Sequence, residues 1–193
     1  MTTDQSKAFE KVLSSEEKLN KVSIDYWHQF SFVDTWQFWF DIVMLIAPLI
    51  VLFFVIDRKN IFLLGFYGFN IHVWFGYIDV VSMRLGLVNY PYFIIPYFQS
   101  LSLDAALLPV LFMLVYQWTL KRGKNFYLYS LIMAAFLAFV FKPIMTSIHF
   151  IQLGEKMSYF KMFLVYIGLF LFSKAITSLF LHMQSKVKKV ETK

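Results

Sequence analysis

The sequence predicts an all-α membrane protein with five transmembrane helices and an N-terminal amphipathic helix in the membrane interface. Of its 193 residues, 59% are hydrophobic and only 16% are charged, whereas an ordinary soluble domain has about 25% charged residues. The apolar residues lie in blocks instead of periodic stripes, a pattern typical of helices that are apolar on every side. Crossing a bilayer takes roughly 20 such residues, so five helices fit, and no room is left for a separate soluble domain beyond the N-terminal segment.

The N-terminal segment, residues 1–34, begins polar and becomes rich in aromatic residues after Val22. Ser14 or Ser15 could cap a helix, and the aromatic side chains that follow favour the level of the lipid head groups. This pattern predicts an interfacial helix that leads into the first span. A helix that docks on a partner protein is the alternative. The segment lacks the basic start and short apolar core of a cleaved signal peptide.

Residues 35–183 form the predicted transmembrane domain, and residues 184–193 form a basic cytoplasmic tail. The spans are predicted at residues 36–56, 61–82, 103–120, 126–150 and 159–183. Pro48 is expected to kink the first span. Lys174 lies inside the fifth span and is expected to extend its ammonium towards the nearby membrane surface.

The distribution of Lys and Arg predicts the orientation of the chain. With five spans, the two termini lie on opposite sides of the membrane. Nine cations lie on the side of the C-terminus: Arg58, Lys59, Lys121, Arg122, Lys124, Lys186, Lys188, Lys189 and Lys193. Five lie close to a span on the other side: Lys18, Lys21, Arg84, Lys156 and Lys161. The positive-inside rule therefore places the N-terminus outside and the C-terminus in the cytoplasm.

The segment between the second and third spans, residues 86–101, is unusually apolar for a loop. It holds two prolines and three tyrosines, and no charge occurs between Arg84 and Asp104. Proline removes a backbone donor and restricts the residue before it, so a spanning helix is not expected here. We therefore predict a connector that lies in the membrane interface or folds back between helices, with its backbone groups bonded to protein or water.

Four ionisable residues occur near the outer ends of the predicted spans, and each would cost about 2.5–3.5 kcal/mol at mid-bilayer. Asp79 and Arg84 precede the connector, Asp104 follows it, and Lys142 lies at a similar depth in the fourth span. The predicted site beneath the connector consists of Asp79, Arg84, Tyr90, Tyr92, Asp104, Lys142 and His149. Three interpretations remain open: ion pairs that only fasten helices together, a polar pocket for a ligand, an ion or a head group, or side chains that extend to the membrane surface, which suits Lys142 least because it lies deepest.

His72 lies seven residues before Asp79, which places both on the same side of the second span. One interpretation is a proton relay from His72 to Asp79. The other is a hydrogen bond between helices, which is the more frequent role of a single intramembrane histidine.

Motifs of catalysis and cofactor binding are absent from the sequence. It has no glycine-rich phosphate loop, no Gly-x-Ser-x-Gly elbow and no His-Glu-x-x-His. The four histidines are widely spaced and there is no cysteine, so no metal site, no cofactor and no catalytic residue is expected. The pI near 9.4 does not indicate nucleic-acid binding, because most cations flank apolar blocks.

The connector and the third span carry a resemblance to a known family. The matching residues are Asp79, Leu85-Gly86-Leu87, Tyr90-Pro91-Tyr92, Pro96, Asp104, Leu108-Pro109 and Tyr116-Gln117. In this order they resemble a family of small five-span membrane proteins of spore-forming, Bacillus- or Clostridium-type bacteria, which has no assigned function. The resemblance covers residues 36–183 and implies a bacterial plasma membrane or spore membrane. The chain departs from that family at Lys142-Pro143, where the family has an acidic residue before the proline.

The functional expectation is a non-enzymatic, multi-pass membrane protein that binds a small ligand, a lipid head group or a protein partner at the site beneath the connector. A small transporter or proton pathway that uses His72 and Asp79 is the first alternative. An enzyme that modifies lipids or isoprenoids is the second. The lipid bilayer is the expected surrounding partner, and the chain could also pair with a second copy of itself.

Overall fold

The structure, a computed structural model, describes the backbone of residues 1–191 and the side chains of residues 1–186. Within that range the chain forms six helices and one two-stranded ribbon. The helices are α1 (Thr3–Phe30), α2 (Trp36–Val55), α3 (Ile61–Arg84), α4 (Leu103–Arg122), α5 (Phe126–Ser147) and α6 (Tyr159–Glu191). The predicted five apolar helices are confirmed, since α2 to α6 are each long and apolar enough to cross a membrane. Lys193 and the side chains of Lys188 and Lys189 lie outside the described residues.

Helix α1 begins much earlier than the serine residues predict. Thr2 is its N-cap and accepts a hydrogen bond from the Gln5 N–H at 3.3 Å. Ser14 and Ser15 lie inside the helix, where both hydroxyls donate to the carbonyl of Lys11. The prediction of a cap there was wrong, because a serine can also bond back to the preceding helical turn. None of the residues of α1 is buried.

Helices α2 to α6 alternate in direction and therefore form a bundle with two distinct ends. Two short turns, residues 56–60 and 123–125, close the end that we call the basic end. The other, which we call the connector end, carries the connector and the segment between α5 and α6. There β1 (Val88–Asn89) pairs antiparallel with β2 (Gln152–Leu153). This ribbon fixes the connector across the end of the bundle.

Two helices contain a wide turn immediately before a proline. The N–H of Leu108 bonds to the carbonyl of Leu103, and the N–H of Lys142 bonds to that of Leu137. Both bonds span five residues instead of four. The next residue, Pro109 or Pro143, has no N–H and its ring would clash with the carbonyl four residues earlier, so widening the turn removes the conflict. Asp104 and Lys142 lie in or directly after these turns.

Helix α5 ends at Ser147, before the predicted boundary at residue 150. His149 has a φ of +61°, a left-handed conformation that a helix does not continue through. The Phe150 N–H then bonds back to the Met145 carbonyl at 2.9 Å. The chain therefore turns here and enters β2.

Helix α4 is the centre of the bundle and α2 lies at its edge. In the apolar window of α4, 61% of the residues are buried, compared with 17% in α2. The fully buried rings of Tyr67, Phe112 and Tyr116 pack in the interior. Large apolar side chains also point outwards, and Phe54 and Phe62 are 78% and 91% exposed. This surface is unsuited to water and well suited to hydrocarbon.

Candidate functional site

All five long helices place a polar side chain in one layer beneath the connector. These side chains are Asp41 of α2, Asp79 of α3, Asp104 of α4, Lys142 of α5 and Tyr166 of α6. Lys142 has no exposed surface, Asp41 and Asp79 are each 4% exposed, and Asp104 is 8% exposed. In the structure the connector extends to Ser102, because α4 begins at Leu103. We call this layer, together with Tyr90, Ser100 and Ser102 of the connector, the connector-end site.

Tyr90 joins the connector to helix α3. Its hydroxyl donates to Oδ1 of Asp79 at 2.9 Å, and both residues are buried. Burial raises the pKa of Tyr90 well above its usual value, and the nearby charge of Asp79 raises the pKa further. The phenol therefore stays protonated and acts as a hydrogen-bond donor to the carboxylate.

Two serines at the end of the connector bond to two further carboxylates. The Ser100 hydroxyl donates to Oδ2 of Asp104 at 2.6 Å, and the Ser102 hydroxyl donates to Oδ1 of Asp41 at 2.9 Å. Both serines are buried. The connector thus supplies one donor to each of three carboxylates, so a change in its position would alter the bonding of all of them.

Lys142 lies among these groups without a direct partner. Its Nζ is 5.4 Å from the centre of the Tyr90 ring, and it is close enough to Asp79 and Asp104 for their charges to interact. Nζ has no hydrogen bond within the protein. Among the described side chains, the ion pair within 4.0 Å is Lys21–Glu17 on the surface of α1. The direct pairs expected if the charges only fasten helices are therefore not formed.

The connector-end site has five buried polar atoms that lack a partner in the protein: Asp41 Oδ2, Asp79 Oδ2, Asp104 Oδ1, Lys142 Nζ and Tyr166 OH. Three carboxylates stand against one ammonium, so the ionised site would carry an excess of negative charge. A cavity of about 10 Å³ adjoins Asp41 and Ser100, and one of about 20 Å³ adjoins Asp79 and Tyr166. Each cavity is large enough for about one water molecule.

A larger pocket opens beside the site on the surface of the connector end. It has a volume of about 380 Å³ and is lined by Pro91, Thr146, His149, Ile151, Gln152 and Tyr159. We call it the surface pocket. Ile151, which is 2% exposed, lines both the surface pocket and the cavity beside Asp41. The side chain of Ile151 therefore lies between a pocket of ligand size and the cavity beside Asp41.

The structure distributes the sequence-predicted residues among different places. Asp79, Tyr90, Asp104 and Lys142 come together in the buried layer. Tyr92 packs on Phe150, with ring centres 5.2 Å apart, and His149 lines the surface pocket. Arg84 is exposed at the end of α3 and does not join the buried charges.

His72 connects helix α3 to the wide turn of α4. Its Nδ1 lies 2.8 Å from the carbonyl oxygen of Asp104. Because a carbonyl only accepts, Nδ1 carries a proton in this bond. The observed bond joins two helices, and it leads to the backbone of Asp104 instead of the Asp79 carboxylate.

Sequence reasoning missed four members of the connector-end site: Asp41, Ser100, Ser102 and Tyr166. Asp41 had a clear signal, since it is the one charged residue in the apolar stretch of α2. The serines and Tyr166 had none, because neutral polar residues are common in connectors and at helix ends.

Lys174 does not extend to the membrane surface as predicted. Its Nζ donates to the Tyr116 hydroxyl at 2.6 Å and lies 4.3 Å from the centre of that ring. A second ring, Phe126, has its centre 5.4 Å away. Attraction of the ammonium to two ring faces and a hydroxyl thus replaces exposure to water.

The described side chains contain no group of three His, Asp or Glu residues that could hold a metal ion. The chain matches no protein-family model, no curated protein and no solved structure. The resemblance to five-span proteins of spore-forming bacteria therefore stays a prediction.

Proposed function

We propose that this chain is a non-enzymatic, multi-pass protein of a bacterial plasma or spore membrane. Five apolar helices and outward-facing residues such as Phe54 and Phe62 support insertion into lipid. The excess of Lys and Arg at the basic end supports a cytoplasmic C-terminus and an external N-terminus. The aromatic end of α1, where the Trp27 ring N–H donates to the Phe93 carbonyl, supports an interfacial position for that helix.

Its proposed function is to bind a small, positively charged ligand or lipid head group at the connector-end site. The observation that carries this proposal is the set of buried, unpartnered atoms in a layer of three carboxylates and one ammonium. Unpaired polar atoms at this depth are costly. A ligand ammonium would donate to the free carboxylate oxygens and would balance their excess charge.

The surface pocket gives such a ligand a place to enter. Its volume of about 380 Å³ lies within the range of small-molecule sites, whereas each buried cavity is only large enough for a water molecule. A head group seated between Gln152 and Tyr159 is separated from Asp41 by Ile151. Rotation of that side chain, together with movement of the connector, would join the two spaces.

Phosphatidylethanolamine and free ethanolamine are suitable probes because both present a primary ammonium. Each is added to the detergent-purified protein, and unfolding is followed by tryptophan fluorescence. A saturating ligand at 100 times its dissociation constant stabilises the folded state by about 2.7 kcal/mol. We expect the melting temperature to rise by several degrees in the parent protein and to stay unchanged in Asp104→Asn.

Asp104→Asn suits this test because the amide keeps the shape of the side chain and an acceptor for Ser100. Asp57→Asn is the matched control, since it neutralises an acid at the basic end. Ethanolamine that leaves the parent melting temperature unchanged would refute a cationic ligand. A shift that persists in Asp104→Asn but disappears in Asp57→Asn would place the binding elsewhere.

A proton pathway through His72 is the second candidate function. The hydrogen bond of His72 to the backbone of Asp104 ties this histidine to the connector-end site, and imidazole is the side chain best suited to carry protons near neutral pH. Proteoliposomes with an internal pH dye would show proton entry that falls in both His72→Gln and Asp79→Asn. Equal entry in the parent protein, in both variants and in empty vesicles would exclude this function.

A further inference from the structure

A second candidate site lies at the basic end, far from the connector. A groove of about 560 Å³ runs between the start of α3 and the last turns of α6. Its walls include Phe62, Leu63 and Phe66 on one side and Phe180, Leu181 and Met183 on the other. The rings of Phe66 and Phe180 lie with their centres 5.0 Å apart and join its two walls. Its volume is that of a ligand site.

The walls of this groove are apolar and open. Phe62 is 91% exposed, and Phe180 and Met183 are each more than half exposed. At the level of the bilayer, hydrocarbon is the natural occupant of such a surface. The shape favours a single chain that lies along the groove, because two helices border it.

Three exposed cations lie close in sequence to the groove residues, at the basic end of the bundle. Arg58 and Lys59 form the short turn that leads into α3, one helical turn before Phe62. Lys186 follows the groove residue Gln184 by two positions, and all three cations are exposed. Asp57 is nearby, but its carboxylate already accepts from the Lys59 N–H and the Asn60 side chain. Those two bonds hold the pKa of Asp57 below its usual value, so its carboxylate stays ionised. Its single negative charge does not neutralise all three cations.

We propose that this groove binds one acyl chain of an anionic phospholipid, with the head group against Arg58, Lys59 and Lys186. Apolar walls select hydrocarbon and the cations select a negative head group, so the combination matches an anionic lipid better than a neutral one. Basic pockets between helices on the cytoplasmic side recognise such lipids. The site is separate from the connector-end site and does not depend on the function proposed for it.

Native mass spectrometry of the purified protein tests the proposal by counting retained lipid. The protein is incubated with equal amounts of phosphatidylglycerol and phosphatidylcholine, and the ratio of the two bound lipids is measured. Because a cation near the membrane surface contributes about fivefold in affinity for anionic lipid, we expect a clear preference for phosphatidylglycerol. In Arg58→Gln/Lys59→Gln/Lys186→Gln the two lipids should bind about equally.

Three further variants separate a groove site from a general effect of charge. Leu181→Trp fills the groove and should reduce the binding of both lipids. The matched control, Leu114→Trp, fills a wholly apolar groove of about 520 Å³ between α4 and α5 and should leave the preference intact. Lys156→Gln/Lys161→Gln removes two exposed cations at the connector end, and should also leave the preference intact.

The preference of each variant is the ratio of the two lipids bound to that same variant, so every variant provides its own reference. The results can therefore either support or overturn the proposal. Equal binding of both lipids by the parent protein would overturn the proposal. A loss of preference in Lys156→Gln/Lys161→Gln as large as in the triple variant would overturn it too, because the cations would then act without the groove. Retained preference in both controls, with its loss in the triple variant, supports it.

Discussion

At the scale of single residues, the buried ammonium of Lys142 is the group on which the connector-end site depends. It lies close to two carboxylates and to the ring of Tyr90, yet it forms no direct ion pair. An ammonium completely removed from water is stable only if nearby negative charge compensates it. By the same argument, the buried carboxylates of Asp79 and Asp104 require a nearby positive charge.

We therefore predict that Lys142→Met destabilises the protein, although Met has nearly the same shape. The loss should be roughly 3 kcal/mol, the lower limit for breaking a buried charge pair, because the charges are near each other without direct contact. For a chain of this size, that corresponds to about 6–12 °C in melting temperature. Thermal unfolding in detergent, followed by tryptophan fluorescence, measures the change.

The compensating variant gives this prediction its control. Lys142→Met/Asp104→Asn has one negative charge fewer than Lys142→Met, so part of the lost stability should return. If the double variant is less stable than Lys142→Met, mutual compensation of these charges is the wrong explanation. Lys161→Met, at an exposed position of α6, should change the melting temperature little.

At the scale of elements, the sequence predicted what depends on hydropathy and missed what depends on local backbone geometry. The apolar blocks of α2 to α6 are long and easily recognised in the sequence, because a helix that crosses hydrocarbon must be continuous. The wide turns before Pro109 and Pro143 could not be predicted, since proline also permits a simple kink. Those turns set the position of Asp104 and Lys142, so the exact layout of the site was equally out of reach.

The site itself was partly predictable for the same reason. Charges inside apolar stretches are rare and conspicuous, which is why Asp79, Asp104 and Lys142 could be singled out. Arg84 was placed with them because of its sequence position, but it lies at the very end of α3, where its long side chain reaches the exposed surface. Hydropathy gives the depth of a residue and not the direction of its side chain.

The ribbon of β1 and β2 holds the connector in place. Gly154, directly after β2, has no room for a side chain. The Gly154 N–H donates to the Leu87 carbonyl at 3.0 Å, and a methyl group on Gly154 would overlap the carbonyl oxygen of Gly86. We predict that Gly154→Ala costs about 1–3 kcal/mol, or roughly 2–12 °C in melting temperature, because rigid backbone cannot move aside. Thermal unfolding measures it.

Gly68→Ala is the control for this prediction. A methyl group there meets only the flexible end of the Met113 side chain, which can rotate away. Gly68→Ala should therefore be clearly less destabilising than Gly154→Ala. The opposite order would mean that the bundle interior, and not the connector, is the more rigid part of the protein.

At the scale of the whole molecule, the two ends of the bundle differ in their charged residues and in the structures that close them. The basic end has short turns and many exposed cations, whereas the connector end has the ribbon, the surface pocket and the buried charges. This asymmetry is what the positive-inside rule acts on. If the rule holds for this chain, a ligand reaches the connector-end site from outside the cell, and the lipid groove lies in the cytoplasmic leaflet.

This orientation can be tested directly because the chain contains no cysteine. We predict that Ser14→Cys, in α1, reacts with a membrane-impermeant maleimide in intact bacteria. Lys124→Cys, in the turn between α4 and α5, should react only after the cells are broken. Both positions are exposed, so a difference in labelling reports on the side of the membrane and not on burial. Labelling of Lys124→Cys but not Ser14→Cys in intact cells would reverse the orientation, and the connector-end site would then face the cytoplasm.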